Sequence, residues 1–403
     1  MPTSTVMVYD GEALANNISA FGCDVFFEHY TIAPSAVVYF FKPINYTTYT
    51  ERKARAAVQR LGLQLGQAVT FTPTPSGFSV SIPRENRRFV KLWDCAAPLE
   101  QHAPRVYIPL GIDDDGNARA VALDDCPHLL IAGASGSGKT SYLHAIIGGL
   151  ACYAHAGIML IDAKAVEFPR WERSPHLVAP IITNARSAAG YLRGAVNEMM
   201  RRYDALKRQG LRDNSAGTFS PLVIIIDEFA DLVLSNRADI EPLIIKIAQM
   251  GRAAGVHLIL ATQRPTVNVL SGLILANIPA RVCLSVASVR DSVVMLDHKG
   301  GEELRGKGDA LVKLANGEEF HAQAPYLTAD DIDAIESTCP PHPKFRENGE
   351  EWDKPKKPKR RGLWARVKAF FTGTRITTDD MINYDMMDDN DDQNESTSPI
   401  DKE

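Results

Sequence analysis

Residues 128–140 read His-Leu-Leu-Ile-Ala-Gly133-Ala-Ser-Gly136-Ser-Gly138-Lys139-Thr140. From Gly133 onward they fit G-x-x-x-x-G-K-[S/T], with an apolar run of strand length before them and a helix-length segment after. The order has a physical reason. Glycines let backbone N–H groups turn inward around a β-phosphate, and the helix that follows offers its positive N-terminal end. Lys139 then reaches the β- and γ-phosphates, and the Thr140 hydroxyl is placed to ligate Mg²⁺. Gly133, Ala134, Ser135, Gly136, Ser137, Gly138, Lys139, Thr140 and Ser141 are therefore the candidate nucleotide-binding residues, with ATP and Mg²⁺ as the expected cofactors. The bland alternative, a chance glycine-rich turn, requires neither the strand nor the helix.

Two further strand ends extend the pattern. Residues 222–232 read LVIIIDEFADL, a buried strand closing on the paired carboxylates Asp227 and Glu228. Adjacent acids can divide the labour: Asp227 holds the Mg²⁺ shell through water, and Glu228 orients and deprotonates the water that attacks the γ-phosphate in line. Alone, such a pair is often a solvated turn or helix start; downstream of a phosphate loop it reads as catalytic. Residues 256–265, VHLILATQRP, bring Gln263 out at the carboxyl edge of a sheet, where open α/β folds place their ligands. There its amide can contact the γ-phosphate, although a Thr-Gln-Arg-Pro run by itself also suits an ordinary turn.

From 128 to about 328, the apolar runs HLLIAG, GIMLID, PLVIIID, VHLILATQ and ARVCLSV alternate with helix-length amphipathic segments. Unbroken apolar strands between helices predict a mainly parallel sheet covered on both faces. Upstream, residues 25–82 alternate β-rich runs with one helical stretch, YTERKARAAVQRLGLQLG, which predicts a small α+β domain. RVYIPLGIDDDGNARAVAL then predicts a hairpin turning at Asp115-Gly116. The expected organisation is a small α+β domain at 1–100, an α/β motor domain at 101–335, and a linker, basic amphipathic segment and acidic disordered tail at 336–403.

The net charge of −5 conceals a split, because residues 379–403 hold ten Asp or Glu against one Lys. The remaining body is mildly basic, which suits a nucleic-acid partner handled through local patches as well as it suits an ordinary solvated surface with a charged tail. The six cysteines show neither CxxC nor zinc-finger spacing and are expected to be free thiols in a reducing cytoplasm. No apolar run approaches the roughly 20 residues that span a bilayer, and no export signal is visible. Cytoplasmic localisation is expected, with any membrane contact peripheral.

Taken with PHLLIAGASGSGKT, NEMMRRYDAL, IIIDEFADL, GRAAGVHLILATQRP and KGDALV, residues 110–328 resemble the motor of the FtsK/SpoIIIE family. The preceding SIPRENRRFVKL and YIPLGIDDDGNARAVAL resemble the small domain before that motor. The resemblance implies a RecA-like P-loop NTPase that hydrolyses ATP and translocates double-stranded DNA as a homo-oligomer, a hexameric ring. It also implies that Arg252, in MGRAAG, completes a neighbouring subunit's site. An arginine on an exposed helix is otherwise usually solvent-facing. The expected catalytic set is Lys139, Asp227, Glu228, Gln263 and Arg252, with Thr140 and Asp227 on the metal.

Departures accompany the resemblance. Where the family reads Asp-Pro-Lys, this chain has Asp162-Ala163-Lys164, which loosens that turn. The positions expected to be basic in the DNA-contacting loops fall on Arg264, Leu275, Val289 and Val293, with Arg290 nearby, so Arg264 and Arg290 are the candidate DNA contacts. Either the grip is redistributed over Arg290, Lys299, Arg305 and Lys307, or the cargo differs. A membrane-spanning N-terminal region and a sequence-reading C-terminal module are not expected, which points to transfer, segregation or packaging of DNA for a mobile element or phage. Residues 354–371, KPKKPKRRGLWARVKAFF, carry eight basic groups beside an aromatic stripe and suit an anionic membrane surface, DNA, a partner, or packing back on the motor. The rival function is an FtsK-like ATPase driving protein export.

Overall fold

The apolar runs become strands because helices cover both of their faces. In the computed structural model, which describes residues 8–338 apart from 68, 85, 86, 101–104 and 155, the strands β7 (His128–Ala132), β8 (Gly157–Ile161), β9 (Leu222–Ile226), β10 (Val256–Thr262) and β11 (Ala280–Leu284) lie parallel in the order β11-β7-β10-β9-β8. Alternate residues face opposite layers. Leu129, Ile131, Val223, Ile225 and Ile259 point to one core with Tyr142, Ile146 and Leu150 of α4 (Lys139–Tyr153). Leu130, Ile224, Leu258 and Leu260 point to the other, with Leu192 and Met199 of α5 (Ala185–Arg208) and Ile240, Ile244 and Ile247 of α6 (Phe229–Ala254). Each fully buried aliphatic side chain contributes about 1.5–3 kcal/mol, so these central strands form the most stable part of the fold.

The sheet does not end at β11. Four antiparallel strands continue it through β12 (Asp309–Lys313), β13 (Glu319–Gln323), β5 (Tyr107–Asp113) and β6 (Ala118–Ala122), giving nine strands and a mixed sheet. The hairpin expected at Asp115-Gly116 forms between β5 and β6. Gly116 takes φ +84°, and the Asp113 carboxylate accepts from the N–H groups of Asp115 and Asn117. Helix α6 breaks at Asn236, whose φ and ψ of −155° and 61° are not helical, and Pro242 lies in its second half.

The second sheet contains β1 (Val25–Ile32), β2 (Ala36–Pro43), β3 (Thr70–Thr74) and β4 (Gly77–Pro83), antiparallel in the order β1-β2-β4-β3. Helices α1 (Gly11–Ala20) and α2 (Glu51–Leu65) bury Leu14, Ile18, Val58 and Leu61 against Tyr39, Phe41, Phe78 and Val80. Helix α2, on the predicted helical stretch, begins where the Thr50 side chain accepts from Lys53 N–H and ends where Gly66 turns to φ +65°. Between the two sheets, Tyr326 N–H donates to the Val90 carbonyl and Leu92 N–H donates to the Tyr326 carbonyl, and Leu92 and Leu99, the latter on α3 (Ala96–Glu100), join the core of the large sheet. Helix α9 (Ala329–Thr338) adds Ile332 and Ile335 to that core.

A buried polar chain also connects the sheets. His321 places Nδ1 2.6 Å from Asp114 Oδ1 and Nε2 2.6 Å from Asp309 Oδ1, while Arg305 donates to Asp309 Oδ2 and to the Ser35 carbonyl. Thr31 donates its hydroxyl to the Asp114 carbonyl. Burial alone would depress the His321 pKa, but the two carboxylates outweigh it and push the imidazole up to about 10. The Cys23, Cys95, Cys126, Cys152 and Cys283 thiols are buried, and none is in a disulfide. Among the described residues no helix is long and apolar enough to cross a membrane. The basic segment at 354–371 and the acidic tail lie outside the described residues.

Candidate functional site

The carboxyl ends of β7, β9 and β10 meet at the point where the chain reverses direction across the sheet, since β7 is followed by the far strand β8 and β10 by β11 on the other side of β7. Crevices of this kind are where α/β sheets hold ligands. The loop 133–138 occupies this one. Gly133 N–H donates to the Thr262 carbonyl at the end of β10, and Ala134 N–H to the Ser285 carbonyl just beyond β11. From below, Lys307 and Gly308 donate their N–H groups to the carbonyls of Gly136 and Ser137, at 3.3 and 2.7 Å. The approach is close enough that a Cβ on Gly138, whose φ is +101°, would lie 2.5 Å from Gly308 N. The 307–308 contacts hold the Gly136 and Ser137 carbonyls. Gly133, Ala134 and Ser137 N–H are bonded within the protein, and α4 begins after Gly138, which supplies no side-chain cap.

Lys139, only 3% exposed, donates to Asp227 Oδ1 at 2.6 Å and to the Asp227 carbonyl at 2.7 Å. Glu228 caps α6 by accepting from Ala230 N–H, and its carboxylate is gripped from β10: Thr262 Oγ1 donates to Oε1 at 2.6 Å, and Gln263 N–H to Oε2 at 3.0 Å. The structure therefore brings Lys139, Asp227, Glu228 and Gln263 into one cluster beside Thr140. Asp162, at the end of β8, accepts from the N–H groups of Glu167 and Phe168, while Lys164 pairs with Asp231 at 3.1 Å. The Asp162 carboxylate thus pins the turn that lacks its proline, and Ala165 within it takes φ +54°.

A cavity of about 570 Å³ opens over this cluster, lined by Gly136, Lys139, Thr140, Gln263, Lys307 and Tyr326 among others. It is of the size that nucleotide-scale ligands fill. Two observations fit a triphosphate and its metal. Ser137 Oγ is buried without a hydrogen-bond partner, a donor directed into the loop, and the Thr140 hydroxyl with the Asp227 carboxylate supplies the hard oxygens that Mg²⁺ prefers. Among the described residues no cluster of three or more His, Cys, Asp or Glu could cage a metal on its own. A Mg²⁺ ion here would draw its remaining ligands from phosphate and water.

Arg252 lies elsewhere. It is exposed in the last turn of α6, where its carbonyl accepts from Gly255 N–H immediately before β10 begins, so it stands at the amino edge of the sheet while the phosphate loop stands at the carboxyl edge. Its turn is braced by the buried Arg202, which donates to the carbonyls of Ala254 and Gly255 and pairs with Glu198 at 2.8 Å. Burial pulls the Arg202 pKa down. The Glu198 pKa is pushed up by burial but held below the usual carboxylate value overall by Arg201 and Arg202.

Arg264 is exposed one residue beyond Gln263, and Arg290 is exposed in the first turn of α8 (Val289–Leu296). Val289 and Val293 on the same helix are 39% and 43% exposed. Leu275, on α7 (Gly272–Asn277), is half-buried. Two of the residues suggested as a redistributed grip do other work. Arg305 is 8% exposed at its side chain and committed to Asp309, and Lys307 stands beside the phosphate loop. The sequence pattern also passed over Thr262, whose place at the last residue of β10 was a usable signal, and the 306–308 loop, whose two glycines in GKGDALV were visible but carried no role.

The sequence model of the FtsK/SpoIIIE family matches residues 95–220 and 214–267. Among curated relatives, a DNA translocase FtsK of Tropheryma whipplei is 38% identical over 281 residues, which is 64% of this chain and 38% of that protein. Among solved structures, the pCW3 conjugation coupling protein TcpA in monomer form with ATPγS superposes with a TM-score of 0.55 at 21% identity, covering 81% of this chain and 98% of that one. The cytoplasmic domain of the Type VII secretion ATPase EccC of Thermomonospora curvata superposes with a TM-score of 0.53 at 24% identity, covering 65% and 34%. The chain spans less than half the length of the curated FtsK proteins it matches. With the phosphate loop, the Asp227-Glu228 strand end and the Gln263 strand end arranged on a RecA-like P-loop sheet, the chain belongs to the FtsK/SpoIIIE family.

Proposed function

We propose that this chain is an ATP-driven, Mg²⁺-dependent translocase of double-stranded DNA that works as a homo-oligomeric ring, hexameric by family resemblance, and serves the transfer, segregation or packaging of DNA for a mobile element or phage. The observation that carries the hydrolytic part is the grip of Thr262 and Gln263 on Glu228 beside Lys139 and Asp227. In this reading Lys139 leaves Asp227 for the β- and γ-phosphates, and Ser137 and the first amides of α4 take the remaining phosphate oxygens. Glu228, held in one orientation from β10, accepts a proton from the attacking water, and Gln263 contacts the γ-phosphate. Bound Mg²⁺, on Thr140 and Asp227, supplies charge neutralisation. Arg252, standing at the opposite edge, acts on a neighbour's nucleotide.

The DNA part follows from the relatives named DNA translocase FtsK, with Arg264 and Arg290 as the phosphate contacts. The exposed Val289 and Val293 beside Arg290 favour the rival cargo, a polypeptide, in an FtsK-like export ATPase. The ATPase rate with and without linear duplex DNA across a salt series, with Glu228→Gln as the inactive control, separates the two. A several-fold stimulation that fades with salt supports the translocase. An active enzyme indifferent to DNA at low salt overturns it in favour of protein cargo, with 354–371 as a candidate contact to a partner or a membrane surface.

A further inference from the structure

The cavity over the phosphate loop has a second wall that phosphate chemistry leaves unexplained. Phe89, Val90, Pro325 and Tyr326 line it. Phe89 is 51% exposed, although an aromatic ring of this size is normally buried. Its ring stands 5.8 Å from that of Tyr326 at an interplanar angle of 70°, an edge-to-face pair that leaves ring surface facing the cavity. The backbone holds this pair in place. Arg88 N–H donates to the Pro34 carbonyl on one side of Phe89. On the other side Tyr326 N–H donates to the Val90 carbonyl, and Leu92 N–H donates to the Tyr326 carbonyl.

The same bonds consume most of the wall's backbone capacity to read a ligand edge. The Tyr326 N–H and carbonyl are both engaged, Ala324 N–H is bonded to the Gly308 carbonyl, Gln323 Nε2 donates to the Lys307 carbonyl, and Pro325 has no N–H. What remains is mainly ring surface, with the Tyr326 hydroxyl at its rim, at the far end of a cavity whose near end suits phosphates. A flat, conjugated group joined to a triphosphate through a sugar is the ligand chemistry that matches both ends.

We infer that Phe89 and Tyr326 form the nucleobase subsite, holding the base by stacking with little reading of its hydrogen-bonding edge. This rests on the proposal that the loop at 133–140 binds a nucleoside triphosphate. Stacking rewards ring area, so purine nucleotides bind more tightly than pyrimidine nucleotides, and ATP and GTP differ little.

Titration calorimetry on the full chain with two probes, ATPγS and inorganic tripolyphosphate, tests the assignment. Phe89→Ala and Tyr326→Ala should each weaken ATPγS about tenfold, the scale of one lost aromatic–base stack, and leave tripolyphosphate unchanged, which also verifies that the loop is folded. Phe89→Tyr should restore most of the affinity. Equal weakening of both probes would make the aromatic pair a support for the loop and overturn the subsite. So would unchanged ATPγS affinity in both alanine variants, or a GTPγS affinity more than tenfold below that of ATPγS in the unmodified chain. If the unmodified chain binds neither probe, or Lys139→Met leaves both unaffected, the phosphate-loop reading itself fails and the inference falls with it.

Discussion

Lys139 and Asp227, 88 residues apart in sequence, form an ion pair of 2.6 Å with both side chains 3% exposed. A buried pair is costly to break from one side, because the remaining charge has neither water nor partner; the usual penalty is about 3–5 kcal/mol. Lys139→Met should therefore lower the melting temperature of the nucleotide-free protein as well as abolish ATP binding. Adding Asp227→Leu should recover stability and leave binding lost, a combination that thermal melts with and without ATPγS can read.

Thr262 and Glu228 give a subtler test. The hydroxyl of Thr262 is one of the donors that orient the Glu228 carboxylate, and the residue is fully buried at the end of β10. Thr262→Val keeps the volume and removes the donor. The expected result is a fall in kcat of about tenfold to a hundredfold with KM little changed, since only the orientation of the base is lost. A rise in KM with kcat intact would place Thr262 in nucleotide binding instead.

Arg252 stands at the sheet edge opposite its own phosphate loop, so its effect should pass between subunits. Arg252→Ala and Glu228→Gln should each be nearly inactive alone. Mixed in equal amounts, they should regain a measurable fraction of the ATPase rate, because some interfaces then pair an intact Arg252 with an intact Glu228. Mixtures that never exceed the sum of the separate variants would assign Arg252 to its own subunit or to structure alone.

The imidazolium of His321 ties stability to alkaline pH. Its folded pKa, pushed to about 10, exceeds the ordinary value near 6.5. The stabilisation is therefore complete below about pH 6.5 and is lost as pH rises toward 10, a change on the order of a few kcal/mol. The melting temperature should decline between pH 7 and 10, and His321→Gln should be less stable at pH 6 while showing a flatter dependence over that window.

Much of the parallel core could be read from the chain because a strand buried on both faces shows itself locally. LVIII and VHLILAT have no polar alternation to obscure them, and Gly136, Gly138 and Lys139 carry their chemistry in their spacing. The antiparallel extension left a weaker trace: DALVK and EFHAQ are short, partly polar, and become strands through their neighbours. The same limit applied at the site. Whether Arg305 faces solvent or Asp309 depends on a loop folding back under residues 136–138, and no window of sequence contains that contact. Thr262 and Tyr326 acquire their positions in the same way, from pairing between segments far apart in the chain.

Helix α6 starts at the Glu228 cap and finishes two residues after Arg252. The separation and angular phase of these two groups are thus properties of one element, interrupted only at Asn236. Each residue of an α-helix advances about 1.5 Å and turns about 100°. A single-residue insertion between Asn236 and Arg252 would swing the arginine roughly a quarter-turn around the axis with every local contact near Glu228 untouched. The same insertion in the exposed stretch around 211–213 would move neither group. Length in this helix is therefore a setting of the machine, whereas length in that loop is free to drift.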